Sequence, residues 1–123
     1  MNNRILIVED EKPLREAFAF LLTSEGYEIA LAENGRVGLD MLDEFEPDLV
    51  LLDMLMPVLN GQEFLQAAQL QTREHHIKIL MLSNLSDPIA LDDAHGLGVT
   101  DSVLKADLSP SELAAKVKKL LSD

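Results

Sequence analysis

Cysteine is absent from the 123 residues, which excludes disulfide bonds, thiolate metal sites and a cysteine nucleophile. The absence fits a reducing compartment, and we expect a cytoplasmic protein. Long apolar runs are missing as well. The first apolar run, for example, begins at Ile5 and ends before Glu9 and Asp10. A membrane span needs roughly 20 apolar residues. We therefore expect neither a secretory signal at the start of the chain nor an association with membrane.

Basic side chains are scarce: 10 Lys and Arg stand against 22 Asp and Glu, for a formal net charge of -12. Such a chain repels nucleic acid and anionic membrane, so direct binding of nucleic acid by this segment is not expected. Most of the carboxylates are interpreted as a solvated surface. The length suits one domain, and no repeat, linker or low-complexity tract divides residues 1–123.

Short apolar runs alternate with longer segments of helical period, which predicts five strands and five helices. The predicted strands are Ile5 to Val8, Ile29 to Ala32, Leu49 to Leu52, Ile77 to Leu82 and Val103-Leu104. Asp87-Pro88 marks a start for the fourth helix, and Ser109, Pro110 and Glu112 mark a start for the fifth. Parallel strands need crossover helices, so the alternation predicts an α/β fold with a parallel sheet covered on both faces. The second strand is the most polar and is predicted to be an edge.

Polar residues interrupt the chain where four of these strands end. They are Glu9 and Asp10, Asp53, Ser83 and Lys105. The carboxyl ends of parallel strands lie along one edge of a sheet, where ligands bind in open α/β folds. These side chains are therefore predicted to converge, although each taken singly is interpreted more simply as a turn former, a helix cap or a solvated charge.

The predicted cluster has a definite chemistry. Two carboxylates about 4 Å apart repel by roughly 4 kcal/mol at an effective dielectric near 20, so Asp10 and Asp53 need a cation. Oxygen ligands without histidine or cysteine favour a hard ion, and few carboxylates favour Mg²⁺. With Mg²⁺ and the Lys105 amine beside it, Asp53 would be a competent nucleophile toward a phosphoryl group, and Ser83 would offer a hydroxyl donor.

Four stretches of the chain carry a family resemblance. They are Leu6-Ile7-Val8-Glu9-Asp10-Glu11, Leu51-Leu52-Asp53-Met54-Leu55-Met56-Pro57 with Asn60-Gly61, Met81-Leu82-Ser83, and Val103-Leu104-Lys105. In this order and spacing the sequence resembles the receiver domain of response regulators over essentially its whole length. The resemblance implies a flavodoxin-like, doubly wound sheet of strand order 2-1-3-4-5. It also implies that residues 1–123 form a single receiver domain without an output domain.

The resemblance implies a role for each residue at the strand ends. Asp53 would accept a phosphoryl group from a sensor histidine kinase or phosphotransfer protein. Asp10, Asp53 and the backbone carbonyl of Leu55 would bind Mg²⁺, with Glu9 acting through water. Ser83 would be the switch hydroxyl and Lys105 the phosphate-contacting amine. The chain would catalyse only its own phosphorylation and dephosphorylation, and would signal to a downstream protein or output domain through its fourth helix, fifth strand and fifth helix.

Two departures from the family pattern keep an alternative open. The family has an aromatic residue where this chain has Ser102, and a proline, often after a cis bond, where it has Ala106. Without proline a cis bond costs about 3 to 4 kcal/mol, so we expect a trans bond or a strained cis one. A receiver-fold scaffold that works without phosphorylation therefore remains an alternative.

Other functional classes receive little support from the sequence. A phosphohydrolase with an aspartyl phosphate needs an acid at the position of Leu55. A flavin or nucleotide binder needs a glycine-rich phosphate loop after the first strand, where this chain has Glu9-Asp10. Three histidines are interpreted as solvated residues rather than metal ligands: His75, His76 and His95. Met54 and Met56 are interpreted as packing residues.

Overall fold

The structure is a computed structural model that describes residues 3–54, 56, 58–83, 96–105 and 108–122, with the backbone alone at Gln71 and Ser83. Its five strands form one parallel sheet in the order β2-β1-β3-β4-β5. They are β1 (Arg4–Val8), β2 (Glu28–Ala32), β3 (Leu49–Asp53), β4 (Lys78–Ser83) and β5 (Asp101–Leu104). The predicted α/β fold and strand order are confirmed, and β2 is an edge strand as its polarity indicated.

Four α-helices lie within the described residues. They are α1 (Lys12–Ser24), α2 (Gly35–Phe45), α3 (Gly61–Ala68) and the C-terminal helix α4 (Pro110–Ser122), with a short 3₁₀ turn at Leu70–Thr72. None of them combines the length and the apolar character that crossing a bilayer requires. The helix predicted to begin at Asp87-Pro88 falls in residues 84–95, outside the described residues.

The helix starts follow from local side-chain chemistry. Asn34 accepts a hydrogen bond from the Val37 amide at the start of α2, and Asn60 forms a reciprocal capping box with Glu63 at the start of α3. At the C-terminal helix the Ser109 hydroxyl accepts from the Glu112 amide at 3.2 Å and donates to its carboxylate at 2.9 Å. The predicted pairing of Ser109 with Glu112 is therefore present, with the glutamate bound to the hydroxyl.

Side chains that alternate along the central strands divide the core into two layers. On one face Leu6, Val8, Val50 and Leu52 pack with buried residues of α2 and α3. On the other face the intervening residues of the same strands pack with α1 and the C-terminal helix: Ile5, Ile7, Leu49 and Leu51. Both faces of the sheet are thus covered, which explains why these strands are apolar throughout.

Candidate functional site at the carboxyl edge of the sheet

The strand register brings the ends of β1, β3, β4 and β5 to one edge. Val8 pairs with Leu52, so the residues that follow them, Glu9 and Asp53, lie side by side. On the other side of β3, Asp53 pairs with Leu82. Since Ser83 ends β4 and pairs with Leu104, Lys105 follows directly at the same edge. The predicted convergence of strand ends is confirmed for the backbone.

Asp53 is held in place by a tight turn after β3. It is 3 % exposed, and the Met54 amide that follows it still bonds to the carbonyl of Leu82 at 3.3 Å. The chain then returns so that the Gly61 amide donates to the Met54 carbonyl at 3.2 Å. A β-carbon at Gly61 would lie 2.7 Å from the Met54 Cα and 3.0 Å from the Asp53 carbonyl oxygen. Glycine is therefore needed here for close approach, and the start of α3 supports the position of Asp53.

Three carboxylates crowd together beside this turn. Glu9, Asp10 and Asp53 each place an oxygen within 4.8 Å of the others, and Glu9 is fully buried. At that distance an ionised pair repels by roughly 3 kcal/mol at an effective dielectric of 20. The cluster therefore requires positive charge to remain ionised.

Lys105 supplies part of that charge. Its Nζ lies 3.0 Å from Glu9 Oε1, 3.3 Å from Asp53 Oδ2 and 3.7 Å from Glu11 Oε1. Its side chain and those of Glu9 and Asp53 are largely buried, so solvent screens these two contacts less than it screens surface ion pairs, whereas Glu11 is exposed. One amine is thus shared among three carboxylates.

The pKa values of the cluster reflect this excess of carboxylates over positive charge. Burial, together with the neighbouring Asp53 carboxylate, raises the pKa of Glu9 to about 8, although Lys105 opposes both effects in part. Burial lowers the pKa of Lys105, but the carboxylates of Glu9 and Asp53 outweigh it, so this pKa is raised above its ordinary value. The cluster is thus short of positive charge even with its lysine in place.

The uncompensated negative charge of this cluster fits a hard divalent cation. Glu9 Oε1 is buried and, although the Lys105 amine is near, it accepts no aligned hydrogen bond within the described part of the chain. Its other oxygen accepts from the Glu11 amide at 3.3 Å. An all-oxygen set of few carboxylates suits Mg²⁺. The residues present therefore fit a Mg²⁺ ion held by Asp10 and Asp53, with Glu9 beside them.

Four of the predicted site residues are thus brought together: Glu9, Asp10, Asp53 and Lys105. Ser83 ends β4 at the same edge, but its side chain lies outside what the structure describes. Two further residues discussed above, Leu55 and Ala106, also lie outside the described residues. The carbonyl of Leu55 as a ligand and the peptide geometry at Lys105-Ala106 stay predictions.

Two residues of this region were given no role from the sequence. Glu11 contributes the third carboxylate near Lys105. Arg15, in the first half of α1, donates from Nη1 to the backbone carbonyls of Glu9 at 2.8 Å and Asp10 at 3.3 Å. A signal for Arg15 was available, because a long cationic side chain near the start of α1 can reach back to the end of β1. It was missed because sequence spacing does not show which way such a side chain turns.

The histidines and methionines behave largely as predicted. His76 is exposed, and His75 is exposed as well but lies beside Asp48, with 3.1 Å between Nε2 and Oδ1, a contact that sequence did not indicate. His95 lies outside the described residues. Met54 and Met56 are buried in the core layer next to α2 and α3, which confirms their packing role.

Comparisons with known proteins agree with this geometry. A family model described as the response regulator receiver domain matches residues 5–118. The phosphate regulon transcriptional regulatory protein PhoB of Escherichia coli is 34% identical over 123 residues, covering 98% of this chain and 52% of the relative. The chain thus spans about half the length of the curated relatives it matches.

Solved structures give the same result. The chemotaxis protein CheY4 of Vibrio cholerae is 27% identical with a TM-score of 0.86, covering 98% of this chain and 99% of that one. The signal receiver domain of a signal transduction histidine kinase from Syntrophus aciditrophicus is 32% identical with a TM-score of 0.83, covering 98% and 90%. With the family model matching most of its length and the acidic cluster at the expected edge of the sheet, the chain belongs to the response regulator receiver domain family of two-component signalling.

Proposed function

We propose that this receiver domain accepts a phosphoryl group on Asp53 from a phosphohistidine of a sensor histidine kinase or phosphotransfer protein. The observation that carries the proposal is the buried Asp53 carboxylate, which lies 3.3 Å from the Lys105 amine and within 4.8 Å of the Glu9 and Asp10 carboxylates. Phosphoacceptance is general in the family, and this arrangement supports Asp53 as the side chain that accepts the group.

The transfer exchanges one bond to phosphorus for another. An Asp53 carboxylate oxygen attacks phosphorus, so an O–P bond forms while the P–N bond of the phosphohistidine breaks. The departing imidazole nitrogen keeps the electron pair, and the product is an acyl phosphate. Lys105 is close enough to Asp53 to pair with a phosphoryl oxygen and offset the added negative charge.

The metal requirement follows from the acidic cluster. We assign the Mg²⁺ ligands to Asp10, Asp53 and the Leu55 carbonyl, with Glu9 acting through water. A bound Mg²⁺ ion supplies positive charge that neutralises the oxygens of the transferring group. Asp10 and Glu9 would orient such an ion, while the Lys105 amine beside Asp53 would provide the second positive charge.

Phosphorylation is proposed to shift a two-state equilibrium that involves Ser83, the predicted fourth helix, β5 and the C-terminal helix. Support for this coupling comes from β5, where Asp101 Oδ2 lies 2.9 Å from Lys116 Nζ on the C-terminal helix. A strand and helix joined in this way can move together. Each 1.4 kcal/mol of preference changes the ratio of the two states about tenfold.

The domain is proposed to act as a signalling module rather than as an enzyme on external substrates, since the only group that it would phosphorylate and dephosphorylate is its own Asp53. Its output would pass to a downstream protein or to an output domain, as receiver domains of the family do. We place it in the cytoplasm, which is typical of the family.

One specific observation favours a second candidate, a receiver-fold scaffold that functions without phosphorylation. Ser102 lies in β5 beside Met81, where the family has an aromatic residue, and its amide bonds to Asp101 Oδ1 at 2.8 Å. The aromatic side chain that the family has at this position is therefore missing. A direct assay of phosphorylation separates the two candidates.

The test is incubation of the chain with a small acyl phosphate donor, with and without Mg²⁺, followed by intact-mass measurement. We expect one added phosphoryl group that requires Mg²⁺ and is lost in Asp53→Asn. Asp40→Asn is the matched control, because it removes the same charge from an exposed position on α2. A chain that gains no phosphoryl group under any of these conditions supports the scaffold instead.

A further inference from the structure

Arg15 links α1 to the loop that carries two of the three clustered carboxylates. Its Nη1 donates to the carbonyl oxygens of both Glu9 and Asp10, at 2.8 Å and 3.3 Å, and the contacts are partly buried. A guanidinium group bonded to two successive carbonyls fixes the orientation of the peptide between them. The loop conformation therefore depends on a side chain six residues further along.

Apart from the Glu11 amide, which donates to Glu9 Oε2, and the Lys105 amine beside the Glu9 and Glu11 carboxylates, few contacts hold the loop between β1 and α1. The Glu9 amide still bonds to the Ala32 carbonyl, as in the sheet, whereas helical bonding begins only with the Arg15 amide and the Glu11 carbonyl. Glu11 occupies the N-cap position but makes no side-chain capping bond. The carbonyls of Glu9 and Asp10 thus fall between the strand ladder and the helix ladder, and Arg15 bonds to both of them.

Electrostatic repulsion makes the two hydrogen bonds of Arg15 relevant to the acidic cluster. Repulsion between the ionised carboxylates of this cluster favours any loop movement that separates them. Asp10 is only partly buried, so it can swing toward solvent, whereas Glu9 and Asp53 are enclosed. A fixed backbone at Asp10 limits that relaxation to rotation of the Asp10 side chain.

We infer that Arg15 is a positioning residue for the divalent-cation site: by holding the carbonyls of Glu9 and Asp10, it keeps their carboxylates directed at Asp53 before the cation arrives. The inference rests on the proposed Mg²⁺ site. Arg15 does not touch the cation, because its bonds are to backbone carbonyls and its charge would repel the ion. Removing it therefore weakens cation binding through geometry, although the loss of a positive charge alone would strengthen binding.

The test compares Arg15→Met with Arg36→Met in the full chain. Arg36 is exposed on α2, so its replacement removes the same charge without touching the loop. Mg²⁺ titrations followed by amide chemical shifts give the affinity and show that each variant is folded. We expect Arg15→Met to bind Mg²⁺ about tenfold more weakly or worse, as for other residues that orient metal ligands. Arg36→Met should bind as the parent does or slightly more tightly.

A second readout does not depend on the metal. With Mg²⁺ chelated, the amides of Asp10 and Glu11 should exchange with solvent faster in Arg15→Met than in the parent chain, while amides of β3 should not. Arg15→Lys keeps the charge and one donor, so it should restore affinity in part. If Arg15→Met fails to fold, the Mg²⁺ affinity of Arg15→Lys is compared with that of the parent. Weaker binding supports the positioning role, and equal binding overturns it.

The outcomes separate this inference from the function it rests on. A parent chain that binds no Mg²⁺ overturns both. Parent-like Mg²⁺ affinity in Arg15→Met, even with lower overall stability, overturns the positioning role alone and leaves the proposed function standing.

Discussion

The carboxylates around Lys105 are the clearest indication of how the site works. Its amine lies within 3.7 Å of three carboxylates, those of Glu9, Asp53 and Glu11. A lysine that only stabilised the fold would need one partner. Sharing among three leaves each carboxylate incompletely neutralised, which is the condition under which a cation or a phosphoryl group can alter the arrangement.

The first prediction concerns the loss of this amine. Lys105→Gln should lower the free energy of unfolding by about 2 kcal/mol at neutral pH with divalent cations chelated, because the buried Asp53 carboxylate loses its charged partner. Urea denaturation measures the change. Lys118→Gln removes the same charge from an exposed position on the C-terminal helix and should change stability by less than about 0.5 kcal/mol. Equal effects of the two substitutions would show that the Lys105 contacts contribute nothing specific.

The second prediction follows from Glu9, whose pKa is raised from 4.5 to about 8 chiefly by burial. Between these two values the folded chain holds a proton that the unfolded chain has released, so this residue's contribution to stability is present below 4.5 and is lost as pH rises toward about 8. With metal chelated, the parent chain should therefore lose stability across this window relative to Glu9→Gln. Urea denaturation across the pH range tests it, and parallel profiles would contradict the assignment.

At the scale of elements, the turn between β3 and α3 shows how closely backbone and site are coupled. Gly61→Ala would place a β-carbon 2.7 Å from the Met54 Cα, directly after Asp53. We predict a loss of about 1 to 3 kcal/mol in the free energy of unfolding, as for other overpacked sites, together with slower phosphorylation of Asp53. Gly96→Ala is the matched control, since a β-carbon there meets nothing within 4 Å. Parent-like stability and rate in Gly61→Ala would contradict this account.

Most of the elements could be predicted because apolar runs and helical periods determine which segments are buried. The strand bounds differ by one or two residues, as at β1, which begins with Arg4, and β4, which begins with Lys78 rather than Ile77. Polar residues can continue a hydrogen-bonded ladder at a strand end, whereas an apolar pattern cannot reveal them. The strand order came from the family resemblance and not from the residues themselves.

The site could be predicted in part for a related reason. Parallel topology sends strand ends to one edge, so Glu9, Asp10, Asp53 and Lys105 were expected together, and the structure places them so. The Arg15 contacts were not predicted, because an arginine near the start of α1 does not by itself show the path of its side chain back over the loop. The same limit applied to His75 and Asp48, which approach from different segments.

At the scale of the whole molecule, the net charge of -12 means that any cation lowers general repulsion. Specific binding must therefore be separated from screening by holding ionic strength constant. Under that condition Mg²⁺ should raise the free energy of unfolding by about 2.7 kcal/mol at a hundred times its Kd. Asp10→Asn should abolish most of this gain and Asp40→Asn should not. A gain that survives in Asp10→Asn would place the ion elsewhere.

The central claim is that one buried carboxylate among several acidic neighbours receives the phosphoryl group. The most direct measurement is to phosphorylate the chain with a small acyl phosphate donor and Mg²⁺, reduce the acyl phosphate with borohydride, and locate the reduced residue by peptide mass spectrometry. The account predicts reduction at Asp53 alone. A label at Asp10, Glu9 or any other acidic residue, with Asp53 unmodified, would contradict it.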